Sequence, residues 1–178
     1  MTLQFEGATL ILGFSWLSSF YVMFSKLVVV SLTIMILWII QRKVQRFSKS
    51  ENFIEFPLVI GFSLLFMFLL LSSYDFIGTY LTIEGLSLTL YVLAVLLNQG
   101  IASVESATKY FSLGAVSSGS LILGISLLFG FTGSTDFLEI QTFLSTQTSL
   151  YYNSEIAISI LLILFVFFFK ISAFPCHV

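Results

Sequence analysis

The sequence predicts an all-α integral membrane protein with about five transmembrane helices. Apolar residues make up 58% of the 178 residues, and the mean hydropathy is +1.07. Only 9% of the residues are charged, against about 25% in soluble domains. Several uncharged stretches reach about 20 residues, the length that a helix needs to cross a hydrocarbon core of about 30 Å. Helices are the expected structure, because a spanning segment must satisfy its own backbone hydrogen bonds.

The chain divides into a lead-in, residues 1–20, and a transmembrane bundle, residues 21–178. A single helix through the mostly uncharged stretch 8–40 would be about 50 Å long, too long for one span. The lead-in is therefore predicted to be interfacial or re-entrant, with a short separate span as the alternative. The predicted spans cover residues 21–41, 53–72, 75–97, 106–130 and 156–174.

The loop 131–155 carries a further helix signal. Asp136 can cap a short helix, Glu139 follows three residues later, and apolar residues then recur at helical spacing. This pattern predicts an amphipathic helix at the membrane interface, with a folded loop segment as the alternative.

The basic residues fall on one side of the predicted bundle. The loop 41–50 and the link 99–109 are two spans apart and hold five Lys and Arg residues, whereas the loops 73–75 and 132–155 hold none. The positive-inside rule therefore places the 41–50 loop on the matrix or cytoplasmic side. The five residues are Arg42, Lys43, Arg46, Lys49 and Lys109.

Several classes of function find no support in the sequence. A single cysteine, Cys176, excludes an internal disulfide and any multi-cysteine metal site within the chain. The net charge of −2 comes without a basic patch, so the lipid bilayer and not nucleic acid is the expected partner. The sequence has no glycine-rich phosphate loop, haem-type histidine pair or nucleophile triad. Frequent Phe and scarce Arg and Pro indicate an AT-rich, organellar gene.

Two ionisable residues lie inside predicted spans. Glu84 and Lys170 are both flanked by apolar residues, and a charge at mid-membrane costs about 2.5–3.5 kcal/mol on insertion scales. Such residues usually mark ion or proton paths, although a static pair that only positions helices is the alternative. Counting from the predicted span starts gives the two residues a depth offset of about 7–8 Å.

The last predicted span is expected to break at Pro175. Proline has no N–H to donate, and its ring clashes with the carbonyl oxygen of Ile171. A broken helix at membrane depth needs surrounding protein or a water-filled cavity. This pattern predicts that another polypeptide completes the site.

The roles of the other ionisable residues are predicted less specifically. Glu105 precedes Lys109 by four residues at the predicted start of the fourth span, the favourable order for a helical ion pair. The pair either caps an interfacial helix or supports transport. His177 is more often a hydrogen-bonded structural group than a ligand, and Lys26 either snorkels to the interface or faces a partner.

Three segments resemble one family. Residues 83–93 (IEGLSLTLYVL) resemble the glutamate helix of chain 2 of NADH:ubiquinone oxidoreductase, respiratory complex I. Residues 105–115 (ESATKYFSLGA) are similar to its next helix, and residues 169–177 (FKISAFPCH) resemble its broken lysine helix. The segments follow the family's order, and the resemblance covers residues 75–178.

The resemblance implies a role for each matching residue. The fold would be half of an antiporter-like inverted-repeat bundle in the mitochondrial inner membrane. Glu84 would pair with Lys170 and tune its protonation in a proton-translocating channel. Lys109 would match the family's helix-start lysine, with a structural role, and Glu105, Lys109 and His177 are the candidates for supporting residues. NADH, FMN, iron–sulfur clusters and ubiquinone would bind elsewhere in the complex, with no cofactor and no covalent chemistry on this chain. The partners would be other membrane-arm subunits of the respiratory chain.

The chain departs from the family in length. Family members have about 14 helices, so two leading helices and everything after the break lack counterparts here. Either this is a truncated product or the subunit is split between genes, and we expect a split subunit, whose second fragment begins with the other half of the broken helix. The alternatives are a subunit of a multisubunit cation/proton antiporter and a purely structural membrane scaffold.

Overall fold

The computed structural model describes residues 9–11, 16–46, 55–97, 101–146 and 150–171. Within these ranges the chain is all-α apart from one short hairpin. The elements are β1 (Thr9–Ile11), β2 (Trp16–Ser18), α1 (Phe20–Arg46), α2 (Glu55–Ser72), α3 (Phe76–Leu97), α4 (Ile101–Thr132), α5 (Phe137–Thr146) and α6 (Leu150–Lys170).

Four of the helices in the described part of the chain, α1 to α4, are long and apolar enough to cross a membrane. The predicted all-α membrane fold is thereby confirmed. The fifth predicted span, 156–174, overlaps α6, whose 21 residues rise about 30 Å, the thickness of a hydrocarbon core. That α6 crosses the bilayer stays a prediction, as does the break at Pro175, which lies outside the described residues.

Three helices extend well beyond the predicted spans. α1 continues to Arg46 and α6 begins at Leu150, in both cases through residues that the sequence analysis assigned to a loop, and α4 begins at Ile101 rather than near 106. Lys, Arg and Gln are good helix formers, and the Glu105–Lys109 pair supports the first turns of α4. Hydropathy indicates where a segment leaves the lipid, whereas a helix ends where its backbone hydrogen bonds end.

The predicted lead-in contains a β-hairpin. β1 and β2 pair antiparallel, with Thr9 opposite Ser18 and Ile11 opposite Trp16. The hairpin contacts the start of α1 and also α2. Its position relative to the bilayer stays a prediction.

The buried core lies between α4, α5 and α6. Seven apolar side chains form it, three from α4, one from α5 and three from α6, namely Leu121, Ile125, Leu128, Ile140, Ile156, Ile163 and Val166. α4 also packs against α3, which in turn packs against α2. α4 therefore lies in contact with the two helices that carry Glu84 and Lys170.

The starts of α3 and α5 are joined by backbone hydrogen bonds. The Phe76 amide donates to the Thr135 carbonyl oxygen at 3.1 Å, and the Phe137 amide donates to that of Tyr74 at 3.4 Å. α5 occupies the residues for which the sequence predicted an amphipathic helix, and it begins directly after Asp136. Gly133 ends α4 with φ of +75°, a conformation that glycine adopts without a Cβ penalty.

Candidate functional site

The two charged residues that the sequence analysis placed inside predicted spans lie close together in the structure. Glu84 is in α3, and Lys170 is the last residue of α6. The Lys170 Nζ atom is 4.0 Å from Glu84 Oε2, and the side chains are 20% and 27% exposed, respectively. Both charges are thus largely withdrawn from the surface, and each has the other as a partner of opposite sign. Such pairing makes a buried charge tolerable.

The separation of 4.0 Å is longer than a hydrogen bond and is the distance of an ion pair. Counting residues from helix starts placed Lys170 deeper than Glu84. Helical side chains lean toward the N-terminus of their helix, so the long Lys170 side chain leans back along α6 and reduces this offset. The first turns of α6 are polar and include Glu155. The start of this helix therefore does not mark the membrane surface, and depth cannot be counted from it.

A half-open cavity of about 440 Å³, lined mostly by apolar surface, lies beside the pair, between α3, α4 and the end of α6. Its volume is large enough to admit water. Lys170 contributes to its wall, and so does Lys109 of α4. The polar residues in the wall are Ser87, Tyr91, Ser106, Lys109, Tyr110, Ser117 and Lys170.

Ser87 and Tyr91 are two lining residues that the sequence analysis did not single out. Tyr91 is only 8% exposed, and its ring lies edge to face with the rings of Tyr110 and Phe111 of α4. Ser87 Oγ donates to the Glu84 carbonyl oxygen at 2.8 Å. The signal was present in the sequence, because polar residues three and seven positions after an intramembrane glutamate lie on its helix face.

Glu105 and Lys109 form the ion pair that their spacing predicted. Lys109 Nζ lies 2.6 Å from Glu105 Oε1, with the side chains 71% and 63% exposed. An exposed pair at this spacing contributes about 0.3–0.5 kcal/mol, so its contribution to stability is small. Its position is more informative, because Lys109 also lines the cavity.

The remaining sequence candidates do not join this site in the described part of the chain. His177 and Pro175 lie outside the described residues. Lys26 lies on α1, which packs against α2 and contributes no residue to the cavity wall. Among the described residues, no group of three His, Cys, Asp or Glu side chains is placed to hold a metal ion.

Comparison with known families finds a matching model. Residues 73–178 match the model of the NADH:quinone oxidoreductase/Mrp antiporter transmembrane family. The match covers α3 to α6, and therefore every described residue of the pair and the cavity.

Curated relatives give the same picture. The chain is 42% identical over 133 residues to NADH-quinone oxidoreductase subunit N of Bartonella bacilliformis, which is 74% of this chain and 27% of the relative. It is 36% identical over 167 residues to subunit N 1 of Rhizobium meliloti, which is 93% of this chain and 33% of the relative. It is 42% identical over 123 residues to NADH-ubiquinone oxidoreductase chain 2 of Rhizopus oryzae, which is 69% of this chain and 23% of the relative.

A solved structure shares the fold. It is respiratory complex I from Thermus thermophilus with bound aureothin, with a TM-score of 0.58 and 29% identity over 72% of this chain and 27% of that chain. The present chain spans about a quarter to a third of the length of the relatives that it matches.

Proposed function

We propose that this chain, which belongs to the NADH:quinone oxidoreductase/Mrp antiporter transmembrane family, is a membrane-arm subunit of NADH:ubiquinone oxidoreductase and forms part of a proton-translocating channel. Within that channel, Glu84 pairs with Lys170 and tunes its protonation. The complex as a whole is the enzyme. This chain carries protons and performs no covalent chemistry.

The observation that supports the proposal most strongly is the Glu84–Lys170 pair beside a cavity. Here the charged atoms are 4.0 Å apart, and Lys170 faces a space large enough for water. A lysine that exchanges protons needs both a partner of opposite charge and a wet route.

The pair provides a way to control a proton electrostatically. While the Glu84 carboxylate lies beside Lys170, it stabilises the ammonium form of the lysine. If Glu84 turns away or is neutralised, the charged lysine loses its partner in a poorly solvated site and its proton is released. The two groups titrate together, so their protonation steps belong to the pair. Redox chemistry elsewhere in the complex would drive this cycle.

The proposed partners and cofactors follow from the relatives. The relatives are named as subunits of NADH-quinone or NADH-ubiquinone oxidoreductase, so other membrane-arm subunits are the proposed neighbours. NADH, FMN, iron–sulfur clusters and ubiquinone would bind to other chains. A second fragment that completes this subunit is part of the proposal. Chain 2 relatives from a fungus and a liverwort support the mitochondrial inner membrane, with the basic end of α1 facing the matrix.

Affinity purification of this chain from its native membrane, in mild detergent, tests the assignment. Mass spectrometry then identifies the co-purifying chains, and a tagged but unrelated inner-membrane protein controls for carry-over. We expect flavin and iron–sulfur subunits, together with a polypeptide that matches the remainder of subunit N.

Each other outcome rejects a defined part of the proposal. Co-purification with cation/proton antiporter chains alone would contradict the complex I assignment. Co-purification of the complete enzyme without any polypeptide matching the rest of subunit N would leave the assignment intact and reject the second fragment.

A further inference from the structure

Next to Glu84, an aromatic ring of α2 lies against the backbone of α3. The residue that follows Glu84 is Gly85, which is buried. A Cβ atom on Gly85 would overlap with Phe66 Cε1, and it would lie 2.5 Å from Cδ1 and 2.6 Å from Cζ of the same ring. Carbon atoms in contact prefer about 3.5–4.0 Å, so one edge of the Phe66 ring occupies the place of a side chain at Gly85.

This ring contact lies at the level of the Glu84–Lys170 pair. Consecutive residues of an α-helix are about 1.5 Å apart along the axis and about 100° apart around it. α2 therefore meets α3 beside Glu84 and from a different direction than α6, whose Lys170 Nζ is 4.0 Å from the Glu84 carboxylate. A change in how α2 and α3 pack at Gly85 moves Glu84 itself.

α3 is also held from the side of α4. The Tyr91 ring meets that of Tyr110 edge to face, with the ring centroids 4.7 Å apart, and a Cβ atom on Gly114 would overlap with the Tyr91 hydroxyl. α3 thus packs between α2 and α4, and on each side an aromatic ring lies against a glycine. A methyl group added at Gly85 must therefore either displace the Phe66 ring or turn α3.

We propose that the contact between Phe66 and Gly85 is a positioning contact that holds Glu84 opposite Lys170. This inference rests on the proposed function and deepens it. Phe66 and Gly85 take no part in proton transfer, and they set the level and the direction of the Glu84 carboxylate. Coulomb attraction across the 4.0 Å separation falls by about a fifth when the distance grows by about 1 Å, so a small displacement weakens the pair.

Gly85→Ala tests the contact in the assembled complex. We expect proton uptake into membrane vesicles during NADH oxidation, per amount of assembled complex, to slow about threefold to tenfold, because a misplacement of about 1 Å costs up to about 100-fold and the long Lys170 side chain follows part of it. Gly61→Ala is the matched control, since it makes the same change in α2 and its Cβ would meet nothing within 4 Å. It should behave as wild type.

An exchange of side-chain size tests whether the two residues act through direct contact. Phe66→Leu removes the ring, so in combination with Gly85→Ala it makes room for the added methyl group. We expect this double variant to translocate protons faster than Gly85→Ala alone. Phe62→Leu, on the same helix and 51% exposed, is the control and should restore nothing. A Phe66→Leu double variant that is no faster than Gly85→Ala would contradict the contact.

The Glu84→Gln background distinguishes positioning of the carboxylate from general damage to packing. Glu84→Gln leaves no carboxylate to position, so Gly85→Ala should add little to its slowing. Damage to packing would slow proton uptake by the same factor in both backgrounds, and that result would overturn the inference. Should Glu84→Gln stop uptake completely, the size exchange alone decides.

Lys170→Ala, measured in the same membranes, separates this inference from the proposed function. If Lys170→Ala stops translocation while Gly85→Ala matches Gly61→Ala, the positioning contact is wrong and the proposed function stands. If the assembled Lys170→Ala complex translocates protons as wild type does, the proposed function fails and the positioning contact fails with it.

Discussion

The contact that holds α6 in place gives a prediction that links packing to the candidate site. At Gly124, α4 and α6 approach so closely that an added Cβ would lie 2.9 Å from Ile163 Cγ1 and 3.2 Å from the Ser159 carbonyl oxygen. Lys170 follows Ile163 by seven residues on the same helix. Gly124→Ala should therefore push α6 away from α4 and carry Lys170 away from Glu84.

The magnitude follows from the geometry. Carbon atoms in contact prefer about 3.5–4.0 Å, so the neighbours must retreat by roughly 0.5–1 Å. Ser159 contributes a backbone atom, and Ile163 is 5% exposed, so neither swings aside freely. Over-packing of this kind costs about 1–3 kcal/mol. For a chain of this size, each kcal/mol lowers a melting temperature by about 2–4 °C.

Heating of the solubilised complex, followed by native electrophoresis, measures how much of this chain stays assembled. Gly119→Ala is the matched control, because it makes the same change on the same helix and its Cβ would meet nothing within 4 Å. We expect Gly124→Ala to dissociate several degrees below wild type and to translocate protons more slowly. Gly119→Ala should keep the wild-type temperature or exceed it, since alanine favours a helix.

Equal dissociation temperatures for Gly124→Ala and Gly119→Ala would refute the argument, because the α4–α6 contact would then have room that the structure does not show. Lower stability with unchanged translocation would keep the packing argument. It would reject the claim that this contact positions Lys170.

Three further predictions concern charged and titratable groups. Glu84→Gln removes the negative charge opposite the α6 lysine; we expect normal assembly by native electrophoresis with several-fold weaker proton translocation, and failed assembly would instead indicate a structural pair. Glu105→Ala breaks the exposed pair with Lys109 and should change thermal stability by at most about 0.5 kcal/mol; a larger loss would contradict its assignment as a surface pair. Burial and, as the smaller cause, the negative charge of Asp136 raise the pKa of Tyr74. The contribution of this tyrosine to stability is therefore fully present below its ordinary pKa of 10.0 and is lost as the pH rises through the raised pKa. Asp136→Asn should lower the Tyr74 pKa in an ultraviolet titration that compares the variant with wild type.

The sequence predicted the helices well where lipid dictates them and less well at their ends. Long apolar stretches identify α2 and α3 almost residue by residue, because a span must be apolar and helical at once. The end of α1 at Arg46 and the start of α4 at Ile101 lie among polar residues, where hydropathy does not predict whether the helix continues. The hairpin of β1 and β2 was not predicted. Its short strands are apolar and lie in a largely apolar stretch, so no change in hydropathy marks them.

The charged residues of the candidate site were found from the sequence because a charge inside an apolar run is conspicuous. The cavity was not found, because its wall combines residues from α3, α4 and α6 that only packing brings together. Tyr91 shows the limit most clearly. A tyrosine in an apolar helix is common. The sequence does not show that the Tyr91 hydroxyl packs against Gly114 of α4, where a Cβ atom would overlap with it.

The central claim is that Lys170 carries protons, and proton translocation per electron in Lys170→Ala membranes tests it most directly. NADH oxidation and proton uptake are measured together in vesicles with equal amounts of assembled complex, with Lys26→Ala as the control lysine on α1. The account predicts that Lys170→Ala loses protons translocated per electron and that Lys26→Ala does not. A fully assembled Lys170→Ala complex with the wild-type ratio would contradict the account and leave the Glu84–Lys170 pair a structural contact.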